Sequence, residues 1–271
     1  MRVTPNVCAI LGAALASASS GALADIIPSS QTRKLDTSSK AVASTVVNDD
    51  AETKSSPGFG GYNDSSDSFS LAVFTTSTFP PVTVVSVASG SASQNSVLSS
   101  SQIKASGEAG VSLTLTRGPL VGSGNAAGSS LFDVSFFIDQ DSTFSFSGLL
   151  DTQAIVTGGA PIPLLDNNLY LEEQGGPILF QSLTDDEAFS LTGVFQGGKT
   201  YRLYALANVT GASGNAANLD RTVTGLASFE FDLRVREIPD APLIPEASTV
   251  VSALGLGTLC GLTWVLRRRR S

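Results

Sequence analysis

The stretch Ala227-Ser228-Phe229-Glu230-Phe231-Asp232-Leu233-Arg234-Val235-Arg236 decides the fold class. Its odd-numbered residues are all apolar and its even-numbered ones all polar or charged. A strand sends successive side chains to opposite faces, so this period of two marks a strand with one face buried and the other wet. Four runs upstream repeat the pattern. Val111, Leu113 and Leu115 alternate with Ser112, Thr114 and Thr116; Phe132, Val134, Phe136 and Ile138 oppose Asp133, Ser135 and Asp139. Phe144 and Phe146 alternate with Thr143, Ser145 and Ser147, while Tyr201, Leu203, Ala205 and Ala207 face away from Arg202 and Asn208.

Turn clusters punctuate these runs: Gly122-Ser123-Gly124-Asn125, Gly158-Gly159, Gly175-Gly176-Pro177, Gly197-Gly198 and Gly211–Asn215. Short alternating strands between such turns predict an all-β chain, an antiparallel β-sandwich or jelly-roll-like domain over residues 69–238. One segment departs from the pattern: in 182–190, Asp185-Asp186-Glu187 could start a helical turn. Residues 25–68 read as a flexible, Ser/Thr-rich arm, because large apolar residues are scarce and Ser55-Ser56-Pro57-Gly58 and Gly60-Gly61 break any period. A short strand around Ala41–Val47 is the one element that could form there.

Both ends of the chain carry apolar segments. At the start, Arg2 precedes an apolar stretch from Val7 to Ala16, and Ala22-Leu23-Ala24 gives a small-x-small cleavage pattern. Residues 1–24 are therefore expected to be a secretory signal peptide, cut between Ala24 and Asp25 by Sec-type export machinery. At the other end, the 18 residues Thr249–Leu266 carry no formal charge. As a helix they would reach roughly 27 Å, about one hydrocarbon core. Arg267, Arg268, Arg269 and Arg270 follow, a basic stop that predicts a transmembrane helix with the preceding body outside the inner membrane.

The tail 239–271 resembles the PEP-CTERM sorting signal of Gram-negative bacteria. The resemblance rests on Pro245-Glu246-Ala247-Ser248-Thr249, the apolar span and the arginine cluster, in that order. Ala247 stands where the family pattern has a second proline. It implies recognition and processing by an exosortase near Pro245–Glu246, transient residence in the inner membrane, and delivery to the cell surface or to an extracellular polysaccharide matrix. Gly197-Gly198-Lys199-Thr200-Tyr201-Arg202-Leu203 is also similar to the strand start of exported bacterial β-sandwich modules, including the pre-peptidase C-terminal type.

Composition then limits the chemistry. Cys8, Cys260, Met1 and Trp264 all lie in the two terminal segments, and the chain has no His. The body from Asp25 to Glu246 thus has no imidazole and no thiol, which excludes Ser-His-Asp and Cys-His catalysis and ordinary zinc or copper sites. The chain holds 16 basic and 24 acidic residues; Arg2 and Arg267–Arg270 lie outside the body, leaving 11 against 24, a net charge of −13. A body this acidic predicts no nucleic-acid partner. The expected function is non-enzymatic, with no cofactor.

The alternative is a glycan- or calcium-binding, adhesin-like module using loops of the sandwich. Asp139 and Asp141, with Asp133 or Asp151, are candidate calcium ligands, because calcium takes 6–8 oxygens and turn carboxylates can supply them. Asp166-Asn167-Asn168 with Glu172-Glu173, and Asp185-Asp186-Glu187, are further oxygen-rich patches. For a glycan, Tyr170, Asn167 and Asn168 are the first candidates. Carboxylate-based glycoside hydrolysis fits poorly, since the body has no Trp to bind sugar rings.

Overall fold

The alternation along 227–236 continues on both sides to make one strand, Arg221–Glu237, and among the described residues of the computed structural model eleven others accompany it. The structure describes residues 25–43, 46–55, 65–79, 84–116, 122–182, 187–214 and 219–238. In chain order the strands are β1 (Ile26–Ala43), β2 (Val46–Ser55), β3 (Ser65–Phe79), β4 (Val84–Leu98), β5 (Gln102–Leu115) and β6 (Gly122–Ile138). Then come β7 (Ser142–Thr157), β8 (Leu164–Glu173), β9 (Ile178–Ser182), β10 (Glu187–Phe195), β11 (Lys199–Ser213) and β12 (Arg221–Glu237). All twelve lie in one unit that closes at Glu237; Ile238–Ser271 forms a second unit, of which only Ile238 is described.

The strands form two antiparallel six-stranded sheets, ordered β2-β1-β6-β11-β8-β9 (sheet A) and β10-β7-β12-β5-β4-β3 (sheet B). The inner faces pack on each other, with Phe132 of sheet A edge-on to Phe231 of sheet B at 5.3 Å between ring centroids. A simple rule underlies the order of the last eight strands. β5 pairs with β12, β6 with β11, β7 with β10 and β8 with β9. That is one long antiparallel ribbon rolled across both layers, the winding of a jelly roll. The first four strands widen both sheets on one side: β1 and β2 extend sheet A beyond β6, and β4 and β3 extend sheet B beyond β5.

The interior changes character along the strands. On β6 the inward residues run Gly122, Gly124, Ala126, Gly128, Ser130, Phe132, Val134, Phe136, Ile138, all buried. β11 runs the opposite way in register, from Tyr201 opposite Phe136 to Ser213 opposite Gly124. At the bulky end, phenylalanines lie over glycines directly across the ladder. Phe189 is opposite Gly148, Phe144 opposite Gly193 and Phe229 opposite Gly107, and a Cβ on any of these glycines would run into the ring. At the small end the two backbones nearly touch. A Cβ on Gly90 of β4 would overlap the Ala127 carbonyl oxygen of β6 and lie 2.8 Å from that of Ser38 on β1. Packed sheets normally stand about 10 Å apart, so only glycine fits here.

This close approach corrects the expectation of a flexible arm over 25–68. Its residues supply β1, β2 and the start of β3, and the sandwich begins at Ile26 rather than at 69. β1 pairs with β6 from Ile26 to Ala43 and buries Arg33, Leu35, Thr37, Ser39, Ala41 and Ala43. Serine, threonine and alanine suit a thin interior, so a stretch with few large apolar residues still makes an inner strand. Some polar side chains inside find partners, while the buried hydroxyls of Thr37 and Ser39 make no hydrogen bond: Arg33 donates to Ser96 Oγ at 2.8 Å, Gln94 to the Leu131 carbonyl at 2.8 Å, and Ser130 to the Ser93 carbonyl at 3.0 Å. β2 is exposed along nearly its whole length and carries Asp49, Asp50, Glu52 and Lys54, charges that discourage further strand addition at this edge.

The expected strand near Ala41–Val47 is split between the end of β1 and the start of β2. In the segment expected to hold a helical turn, Glu187 opens β10, while Asp185 and Asp186 lie outside the described residues. The expected signal peptide 1–24 and nearly all of the sorting tail, with Pro245–Thr249, the apolar span and Arg267–Arg270, also lie outside them. Among the described residues no helix is long and apolar enough to cross a membrane.

Candidate functional site

The sequence candidates separate once the strand faces are assigned. Asp139 and Asp141 stay neighbours on the β6–β7 turn, but their oxygens serve different amides. Asp139 Oδ1 accepts from the Asp25 amide at 3.2 Å, and Asp141 Oδ1 from the Gly197 amide at 2.8 Å. The second bond ties this turn to the β10–β11 turn, where Gly198 (φ +76°) donates its own amide to the Ile138 carbonyl at 2.8 Å. Asp133 points to the outer face of sheet A and binds an arginine there. Among the described residues no three carboxylate, His or Cys side chains gather where they could hold a metal ion.

Of the glycan candidates, Asn167 faces inward. It is 4% exposed, and its amide donates to the Asp151 carbonyl at 2.9 Å and the Ser228 carbonyl at 3.1 Å, bridging the two sheets. Asn168 and Tyr170 lie on the opposite, outer face of β8. The structure therefore keeps Tyr170 and Asn168 as surface groups and makes Asn167 part of the core.

Tyr170 belongs to a cluster built by sheet register. Tyr204 on β11 sits opposite Tyr170 on β8 and opposite Asp133 on β6; Arg202, two residues earlier, sits opposite Glu172. The tyrosine rings stack at 4.8 Å with 13° between their planes. The Arg202 guanidinium carbon lies 5.5 Å from the centroid of the Tyr170 ring and 5.4 Å from that of Tyr204, within cation–π range. Its Nε and Nη2 grip both oxygens of Asp133 at 2.9 and 2.8 Å, and Nη1 lies 3.5 Å from Glu172 Oε1. A planar guanidinium holding a carboxylate through two parallel bonds is the most directional ion pair proteins make. Three residues before Arg202 on the same strand, Lys199 binds Glu173 at 2.9 Å.

Electrostatics follow the geometry. The hydrogen bonds to Asp133 raise the Arg202 pKa further above its ordinary value, against the opposing effect of burial. Burial raises the hydroxyl pKa of both Tyr170 and Tyr204, a shift that Arg202 partly offsets. At neutral pH the cluster is a half-buried cation held by two carboxylates beside two neutral phenols. It offers flat apolar surface, hydroxyls and fixed charge, and contains no nucleophile paired with a base.

Sequence reasoning found Tyr170 and placed Arg202 on the wet face, but it did not join them to Tyr204. The available signal was Arg202-x-Tyr204 and Tyr170-x-Glu172, aromatic residues on the polar faces of two strands. Farther along the same outer face, a shallow groove of about 560 Å³ is lined by Ser38, Lys40, Asp49, Asp50, Asn125 and Thr210. Fold and cluster together define a class: an all-β protein of two packed antiparallel sheets, with an aromatic, charge-bearing outer face. The chain matches no family model, no curated protein and no solved structure.

Proposed function

We propose that this chain is an exported, non-enzymatic protein of the cell surface or extracellular matrix of a Gram-negative bacterium, sorted and processed by an exosortase through its C-terminal signal. The observation that carries this reading is where the strands begin and stop. β1 starts at Ile26, the second residue after the expected Ala24–Asp25 cut, and β12 ends at Glu237, before Pro245-Glu246. The twelve strands of the described residues thus fall in the interval between the two expected address segments. The absence of His and Cys from that interval supports a non-catalytic role. Replacing Pro245 and Glu246 together should leave the protein in the membrane fraction with its full tail, read by immunoblot and intact mass. Unchanged processing and release would defeat the reading.

The second reading, glycan binding, moves from the loops to the outer face of sheet A, and the stacked Tyr170–Tyr204 pair with Arg202 favours it. Surface aromatics beside charged hydrogen-bonding groups suit sugar rings, which present both C–H and hydroxyl faces. Binding of the purified exported protein to a glycan array should be lost with Tyr204→Ala and kept with a substitution on sheet B such as Thr143→Ala. Equal binding by both variants would remove this face from consideration.

A further inference from the structure

We propose that export processing completes a structural lock: hydrolysis between Ala24 and Asp25 frees an α-ammonium that pairs with the carboxylate of Asp139. The inference rests on the export reading above and adds to it what the new terminus does. Three contacts hold residues 25 and 26 to the end of β6 and to the β4–β5 connection. The Asp25 nitrogen lies 3.2 Å from Asp139 Oδ1 on the β6–β7 turn. The Ile26 amide donates to the Ser100 carbonyl at 2.6 Å, on the β4–β5 connection. Ile26 itself is 1% exposed, belongs to the main core, and stands opposite Ile138 in the ladder.

These anchors lie just before a break in pairing. The register between β1 and β6 shifts between Pro28 and Ser30, so the ladder before it is short and would fray without fixing at its end. The fixing falls on the two residues just after the expected cleavage site. In hydrolysis, water adds across the Ala24–Asp25 peptide bond. Ala24 leaves with a new carboxylate, and the Asp25 nitrogen, protonated, becomes an ammonium. An amide that gave one neutral donor to Asp139 is replaced by a cation at the same position, and a charge-assisted bond is stronger than the neutral one it replaces.

Asp139 is the carboxylate that the Asp25 nitrogen already meets. The titratable groups on the elements meeting at this end include the Asp25 side chain, Asp139, Asp141, Lys199, Tyr201, Glu173, Arg236, Glu237 and Arg234, the last engaged by Asp232. Asp141 is engaged by the Gly197 amide, and Lys199 and Glu173 bind each other. Asp139, assigned from sequence as a candidate calcium ligand, thus has a cation partner that the chain makes for itself.

The test reads the α-amine directly. The exported protein is purified, its N-terminal peptide is identified by mass spectrometry, and the α-amine is pulse-acetylated between pH 6 and 10. The labelling midpoint of the native protein is expected about half a unit above that of the same protein unfolded in urea, since an anionic neighbour favours the charged amine. Asp139→Asn should bring the native midpoint back to the unfolded one, near the ordinary α-amine range of about 7.7–8.0. Asp141→Asn, which disturbs the same turn but not this pair, should keep the raised midpoint. Coincident native profiles for the unsubstituted protein and Asp139→Asn would overturn the lock. A terminus at a residue other than Asp25 would instead overturn the export reading beneath it, and the mass spectrum shows this before any titration.

Discussion

The two ends of β6 meet the opposite sheet by different means. Around Phe132 and Phe136, rings from both sheets interlock, with Phe136 edge-on to Phe195 at 5.8 Å and Phe195 4.3 Å from Phe144. Around Gly128 there is nothing to interlock, and a Cβ there would overlap the Ser91 carbonyl oxygen and lie 2.9 Å from that of Gly110. The first end gains its stability from apolar area, at about 1.5–3 kcal/mol for each fully buried large side chain. The second gains it from backbone proximity and from hydrogen bonds such as that of Ser86 to the Ser123 carbonyl, with those of Gln94 and Ser130 where the two ends meet. One sandwich can thus be thick and oily at one end and thin and polar at the other, provided each strand tapers in step with its neighbours.

The largest expected effect lies at the thick end. Phe231→Ala, at a fully buried ring touching Phe132, Phe146 and Phe229, should cost about 4 kcal/mol in urea unfolding. At the thin end, addition should hurt where removal would not. Gly90→Ala should cost about 3 kcal/mol, because the obstructing atoms are carbonyl oxygens that cannot rotate away, while Gly214→Ala, in open space, should lie near zero. If Gly90→Ala is neutral, the sheets are not held as close as described. Ser130→Ala should cost about 1.5 kcal/mol, since it removes a donor to Ser93 and an acceptor for Gln94 in a buried site. The same change at an exposed serine such as Ser145 should be undetectable.

The smallest effect concerns the outer surface, where the contrast between the ends should vanish. Burial alone would raise the Asp232 pKa, but hydrogen bonds from Arg234 and Gln102 outweigh it and hold the carboxyl below its ordinary value. A depressed carboxyl stabilises the fold above its unfolded pKa and loses that contribution as pH falls through the folded one. Asp232→Asn should therefore flatten the acid limb of stability below about pH 4, by less than about 1 kcal/mol for a partly exposed pair. A larger loss at neutral pH would mean that the surface network matters more than the interior taper.

This contrast also explains what sequence could reveal. β5, β6, β7, β11 and β12 were legible because bulky and polar residues alternate along them. β1 was not, because its inward Thr37 and Ser39 differ little in hydropathy from the outward Ser38 between them, and a thin interior makes no demand for large side chains. The candidate cluster was half legible for a related reason. Tyr170 and Arg202 stand out on their own strands, but their meeting depends on β8 and β11 being neighbours, which no local pattern encodes. Asn167 was misplaced because an asparagine in an acidic stretch resembles a turn, whereas here its amide satisfies carbonyls on the opposite sheet.

The rolled ribbon sets a timetable. β1 needs β6, and β5 needs β12, so the N-terminal half of the chain cannot finish its ladders until the last strand has arrived. A chain fed through a membrane channel N-terminus first would remain threadable until β12 emerged, because nearly all its closing contacts join distant parts of the sequence. Completion would then be abrupt. The segment still to arrive at that moment would be the one after Glu237, with Arg267–Arg270 near its end.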